Sequence, residues 1–302
     1  MTDAESVWEI PEPQSTLEVP VDGDTNIILR RHGNPAGPRL VLSHGNGLAI
    51  DFYYPFWSLL TEEFDLIIYD LRNHGWNEVG PVDSHNVPTI ASDQDAILEA
   101  IDEQYGPKPK AGVFHSFSAL TTLLSPSNCS GFSALFLFDP PLRKPGVSHE
   151  EFDQASIKNA SMARRRGYQF KSQEAFVELL GFSPYYRQVV AGVLPLLAET
   201  TLRASLSGEG YVLICPREYE AQIMEYARLY SVFIDFADIQ CPIKVLGADP
   251  TLPYSYLPTL DLGDIREIDY DFLPDATHFL QLEKPEECVA TMRDFLKQQD
   301  FL

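Results

Sequence analysis

Short runs rich in β-branched and aromatic residues alternate along this chain with stretches of helical spacing, and this alternation limits the fold more than any other feature. The runs lie at residues 26–31, 111–115 and 266–270, and at Arg39–Ser43, Asp65–Tyr69, Ala134–Phe138 and Ile243–Gly247. Several are apolar on both sides of the pleat, so both faces of the sheet they form must be covered. Helical spacing at residues 52–63, 89–105, 119–124 and 285–297 supplies the covering layers, and Pro285-Glu286-Glu287 suits a first helical turn. The predicted core is α/β, a mostly parallel sheet flanked by helices.

Residues 145–238 break the alternation. Helical patterning covers 149–166, 172–180, 194–206 and 217–236, convincing strands are few, and Pro145-Gly146 and Cys241-Pro242 punctuate the edges. The expected organisation is a core of residues 1–144 and 239–302 carrying a helical insertion, 145–238, between two strands of the sheet. A chain of 302 residues is long enough for this arrangement.

A net charge of −22 argues against a nucleic-acid partner and against binding an anionic membrane through bulk electrostatics. No apolar run approaches the length of a membrane span. The first residues, Met1 to Ser6, lack the basic start and apolar stretch of a secretory signal, so a cytoplasmic location is expected. Cys129, Cys215, Cys241 and Cys288 are scattered without metal-like spacing and read as free thiols; neither a metal nor a cofactor is expected. Association into a homo-oligomer is left open.

Ligands of open α/β sheets bind beyond the carboxyl ends of the strands, so the residues following each run are the candidates for function. Phe114-His115-Ser116-Phe117-Ser118-Ala119 follows one run and leads directly into a helix, the layout of an exposed nucleophile turn. Ser118 is a fallback nucleophile, set inside the helix. His44-Gly45-Asn46-Gly47 follows another run; its two glycines let backbone donors approach a ligand closely. Asp70-Leu71-Arg72-Asn73-His74-Gly75 follows a third. Two aspartates stand at strand ends, Asp249 in Ala248-Asp249-Pro250 and Asp139 in Phe138-Asp139-Pro140-Pro141. Beyond the last run comes Ala276-Thr277-His278-Phe279, leading through Glu283-Lys284-Pro285-Glu286 into the final helix.

Together these strand ends resemble the α/β-hydrolase superfamily, over about residues 17–145 and 241–302 by motif, with the intervening helices placed like its cap domain. The resemblance implies a serine hydrolase with Ser116 as nucleophile, His278 as base and Asp249 as the acid orienting the base, in the chain order serine, acid, histidine; Asp139 is the alternative acid. It further implies an oxyanion hole built from the N–H groups of Asn46 and Phe117, and loop-bracing roles for Asp70 and Arg72. His44 is expected to hold its loop. Phe114 and Ser118 depart from the Gly-x-Ser-x-Gly pattern, in which small residues keep the turn free of clashes.

The expected reaction is two-step acyl transfer to water on a small, apolar ester, with thioesters and lactones in the same class. A serine nucleophile argues against the alkyl-transfer chemistry of the epoxide hydrolases and haloalkane dehalogenases of this fold, which use aspartate. Carbon–carbon hydrolysis or a cofactor-free lyase reaction on the same triad is the alternative within the scaffold, and a non-catalytic hydrolase-like binding protein the alternative outside it. The aromatic residues Tyr168, Phe170, Phe176, Phe182, Tyr185 and Tyr186 suggest an apolar lid, mostly as packing, and Arg164-Arg165-Arg166 is a local basic spot in an acidic chain.

Overall fold

Strand pairing in the computed structural model, which describes residues 8–142, 148–252 and 268–302, follows the predicted alternation. The first six strands are β1 (Ser15–Pro20), β2 (Asn26–Gly33), β3 (Arg39–Ser43), β4 (Asp65–Tyr69), β5 (Lys110–His115) and β6 (Ala134–Phe138). Between them run the helices α1 (Tyr54–Trp57), α2 (Val87–Tyr105) and α3 (Phe117–Leu123). The segment after β6 holds α4 (His149–Arg165), β7 (Gln169–Phe170), α5 (Gln173–Gly181), α6 (Val193–Thr201), β8 (Leu202–Ala204), β9 (Tyr211–Leu213) and α7 (Arg217–Tyr230). The chain then returns through β10 (Ile243–Gly247) and β11 (Asp269–Phe272) and ends on α8 (Leu280–Glu283) and α9 (Pro285–Gln298).

The main sheet runs in the order β1-β2-β4-β3-β5-β6-β10-β11. Only the β1–β2 and β2–β4 pairings are antiparallel. The pleat sorts the strand residues onto two cores. Leu40, Leu42, Leu66, Ile68, Val113, Phe136 and Phe138 point toward α1 and α9, where Phe56, Trp57, Met292 and Phe295 meet them. Val41, Ile67, Tyr69, Phe114, Leu135 and Leu137 point the other way, against Ile90 and Ile97 of α2 and Leu120 of α3.

Three local expectations are corrected. β1 was not anticipated: its short alternating segment has only one buried residue, and pairing with β2 completes it. The segment of residues 148–238 is not wholly helical, because β7, β9 and β8 form a small antiparallel sheet. The helix expected over 194–206 therefore stops at Thr201, where Leu202–Ala204 pairs with Tyr211–Leu213 instead. The last core strand starts at Asp269, whereas the run expected at 266–270 begins outside the described residues, as do Pro145-Gly146 and the start of the insertion at 145.

Buried ion pairs fix the loops on the β2–β4 side. Arg30 on β2 reaches Asp51 at 2.5 Å and Asp70 at 2.8 Å, with the Trp76 ring 4.4 Å from its guanidinium carbon. Asp70 also accepts the N–H groups of Ile50 and Trp76. Arg72 is held by Asp93 and Asp22. Asp70 and Arg72 thus brace loops. Removing one partner of a buried pair strands the other, so Asp70→Ala should cost about 3–5 kcal/mol in urea unfolding. A loss below about 1 kcal/mol, the range of an exposed pair, would contradict the role given to this carboxylate.

Candidate active site

Strand β5 delivers Ser116 in a sharp turn, with φ 50° and ψ −111°, before α3 begins at Phe117. An L-residue holds such a backbone only where its surroundings enforce it. The Ser116 N–H donates to Phe138 O on β6 at 2.9 Å, and its carbonyl accepts the Leu120 N–H. The two departures from small flanking residues are both accommodated. The Phe114 ring is fully buried and meets Phe132 edge-on at 5.7 Å. It occupies space left by Gly112, two residues back on the same face, where a Cβ would lie 2.5 Å from the Phe114 ring. Ser118 accepts the His115 N–H at 3.1 Å and donates to the His115 carbonyl at 3.0 Å, so its hydroxyl stitches the turn. Buried and doubly engaged, Ser118 is not placed as the fallback nucleophile.

His278 reaches this turn from the loop after β11. Its Nε2 accepts from Ser116 Oγ at 3.0 Å, and its Nδ1–H donates to Asp139 Oδ2 at 2.6 Å. This corrects the assignment of the orienting acid to Asp249. The reason lies in what each carboxylate meets: Asp139 stands on the turn after β6, beside β5, and faces the imidazole, whereas the Asp249 carboxylate is taken up by its own loop. Asp139 follows β6 with φ 39°, and its other oxygen accepts the Ala248 N–H at 3.1 Å. Asp249 instead accepts the Thr251 hydroxyl and N–H and the Asp275 N–H. The Thr251 hydroxyl, with those N–H groups, holds its carboxyl below the usual range. Its own N–H donates to Ala276 O at 2.7 Å, so Asp249 braces the loop that presents His278.

Two groups that the sequence reading passed over hold the histidine's backbone. His115 Nε2–H donates to His278 O at 2.8 Å, while its Nδ1 accepts from Tyr53 Oη at 2.7 Å. Burial keeps the His115 imidazole neutral, well below its ordinary pKa, which suits one donor and one acceptor nitrogen. Glu283 accepts the N–H and the hydroxyl of Thr277, the residue before His278. The sequence signal for His115 was its place next to Ser116; its partners are distant in sequence.

The glycine-rich turn lies on the other side of Ser116. Gly45 N–H donates to Tyr53 Oη at 3.3 Å, Gly47 N–H to His74 Nε2 at 3.0 Å, and Leu48 N–H to Gly45 O at 3.3 Å. Among the described residues, the Asn46 N–H is the only one of these four without a protein partner. Phe117 opens α3, so its N–H is one of the groups a helix leaves unsatisfied. His44 donates from Nδ1 to Gly45 O and accepts the Leu71 N–H at Nε2, a loop-holding role.

A cavity of about 360 Å³ opens over Ser116 and His278. Its far wall comes from α4 (Phe152, Asn159, Met162) and α7 (Glu220, Ile223, Met224). Of the aromatic residues expected in an apolar lid, Tyr185 and Tyr186 line it, Phe170 and Phe176 pack together, and Phe182 is exposed. Two of the three arginines of the basic spot are paired: Arg164 with Glu225 and Arg166 with Glu220. Burial pushes the Glu220 carboxyl up, against the pull of Arg166.

Among the described residues, the one cluster with metal-ligand chemistry is His74, His85 and Cys215, whose ligand atoms lie within 4.8 Å of one another. The histidine lone pairs are already engaged. His74 Nε2 accepts from Gly47 and its Nδ1–H donates to Arg72 O. Asn73 accepts the Gly80 N–H at Oδ1, so its Nδ2 donates to His85 Nδ1 and leaves His85 protonated at Nε2. The donor set does not suit a metal.

A profile described as the alpha/beta hydrolase family matches residues 40–291. Solved structures share the fold. E-2-(acetamidomethylene)succinate hydrolase superposes with a TM-score of 0.76 at 17% identity, covering 94% of this chain and 99% of its own. An enol-lactonase from Burkholderia xenovorans LB400 gives 0.66 at 18%, covering 94% and 100%. A thermophilic esterase from Thermogutta terrifontis gives 0.65 at 19%, covering 94% and 99%. No curated protein matches the sequence.

The packing of Phe114 over Gly112 can be checked by unfolding. Gly112→Ala places a methyl against both the Phe114 ring and Leu135 and should destabilise the chain by about 1–3 kcal/mol. Adding Phe114→Leu should recover part of that loss. An unchanged urea midpoint in Gly112→Ala would contradict this packing.

Proposed function

The chain belongs to the α/β hydrolase family, and we propose that it cleaves carboxylic esters or related acyl substrates through an acyl-enzyme on Ser116. The observation that carries this reading is the hydrogen-bonded series Ser116–His278–Asp139 at the floor of a cavity. In it His278 Nε2 takes the Ser116 proton as Oγ attacks the carbonyl carbon. Asp139 fixes the tautomer in which Nδ1 carries the hydrogen and stabilises the imidazolium that forms. The N–H groups of Asn46 and Phe117 meet the developing oxyanion; such a donor is typically worth ~3 kcal/mol in the transition state. His278 then protonates the leaving group, and water repeats the sequence to release the acid.

Residues 145–238 act as a cap on the core of residues 1–144 and 239–302. The support is that α4 and α7 form the wall facing Ser116. The predominantly apolar lining favours a small apolar ester, whose acyl and alcohol groups the cap selects by size. The structural neighbours described as an esterase, an enol-lactonase and a thioesterase domain are in keeping with acyl chemistry.

A fluorophosphonate probe should label the wild-type chain and not Ser116→Ala, which should also lose turnover of p-nitrophenyl esters. Persistent labelling in Ser116→Ala would sink the nucleophile assignment. Asp139→Asn should reduce kcat by about 10⁴, the usual result of giving the histidine the wrong tautomer. Asp249→Asn should lose much less, because its carboxylate holds the loop without touching the imidazole. If the two effects were reversed, Asp249 would be the acid after all.

A further inference from the structure

Two charged side chains of the cavity take no part in that chemistry. Glu220 on α7 and Arg166, just beyond α4, both line the space above Ser116. Arg166 Nη1 donates to Glu220 Oε1 at 3.1 Å, and Nη2 makes a short contact with Oε2, so the pair is two-pronged. The Glu220 side chain is only 7% exposed, the Arg166 side chain 40%.

Glu220 is also built into the glycine-rich turn. Its backbone carbonyl accepts Asn46 Nδ2 at 2.8 Å, tying α7 to the residue whose main-chain N–H is the proposed donor. Its carboxylate lies directly on Gly47: a Cβ there would stand 2.6 Å from Oε2. Gly47 has φ +74°, so this position favours glycine for its backbone as well as for space. A carboxylate is thus buried against the loop that must stabilise a forming negative charge. Because the Glu220 carboxylate is buried, an uncompensated charge there would oppose the oxyanion more strongly than it would in solvent.

We infer that Arg166 is a positioning residue of the acyl-transfer site: by pairing with Glu220 it neutralises the carboxylate packed on the Asn46-Gly47 turn and keeps that turn able to receive an oxyanion. The inference rests on the reading of Asn46 N–H as an oxyanion donor. Glu220 serves as the link, with its main-chain carbonyl holding the Asn46 side chain and its carboxylate held by the guanidinium. Substrate charge is not the target, because two guanidinium nitrogens already face Glu220 and the pair as a whole is neutral.

The experiment compares wild type, Arg166→Lys, Arg166→Met and Arg166→Met/Glu220→Gln. For each, kcat and KM for p-nitrophenyl butyrate are measured per site titrated by the fluorophosphonate, so misfolded protein drops out of the count. Arg166→Met should lower kcat by on the order of tenfold or more, with KM changed much less, since only the transition state carries the negative oxygen. The double variant should regain most of that loss, because the offending charge is gone, and Arg166→Lys should stay near wild type. If Arg166→Met yields no titratable sites, Arg166→Gln with and without Glu220→Gln makes the same comparison.

A double variant as slow as Arg166→Met would overturn the inference, showing that the guanidinium matters for packing alone. A rise in KM with kcat unchanged would overturn it too, making Arg166 a substrate anchor. The underlying acyl-transfer reading fails separately, when Ser116→Ala keeps its turnover or the wild type resists the probe. It survives if only the charge rescue fails.

Discussion

The backbone turn at Ser116 is the constraint on which the rest of the site depends. Holding a serine at φ 50° costs of order 1–3 kcal/mol, and the surroundings must supply it. They do so from three directions. The Ser118 hydroxyl closes the turn from the helix side, the Ser116 N–H is anchored on β6, and Phe114 wedges the strand side against Phe132. In place of the small residue usual before such a turn, the chain carries phenylalanine and moves the glycine two positions back, to the same face of β5. The Gly-x-Ser-x-Gly pattern is one solution to a packing problem, and Gly112 with Phe114 is another.

With the turn fixed, precise placement of His278 depends on its backbone. His115 links the loop of His278 to Tyr53, and Tyr53 in turn accepts the Gly45 N–H. The residue beside the serine therefore joins the histidine loop to the glycine-rich turn through buried, neutral groups. Asp249 and Glu283 brace the same histidine loop from its two ends, through Asp275 and Ala276 on one side and Thr277 on the other. Support of this kind lets an imidazole meet the serine and Asp139 at once, because side-chain geometry is only as good as the backbone carrying it.

The segment between β6 and β10 extends this coupling across the cavity. Helices α4 and α7 pack on each other and fasten to the core through Asn46, through Tyr219 Oη to Gly80 O, and through Gln222 to His85 O. The helix that walls the cavity is thus the same element that touches the glycine-rich turn. The Arg166–Glu220 pair lies where this wall meets the glycine-rich turn.

Much of this was legible in the sequence, since strand periodicity, the position of a residue after a strand and the start of a helix are local properties. The parallel sheet, its two covered faces and the strand-end positions of Ser116, Asn46, Asp139, Asp249 and His278 all follow from runs of a few residues. Contacts between loops are not local. Asp139 and Asp249 each stand after a buried strand, and only the contacts between the strand-end loops decide that Asp139 meets the imidazole while Asp249 is held by Thr251 and Asp275. β1, the small sheet of the insertion, and the meeting of Glu220 with Gly47 across more than a hundred residues were likewise decided by contacts between distant segments. Residue pattern determined the layers and which positions reach the carboxyl edge of the sheet. Tertiary packing decided which of those positions touch, because a hydrogen bond depends on separation in space, and the chain records only separation along itself.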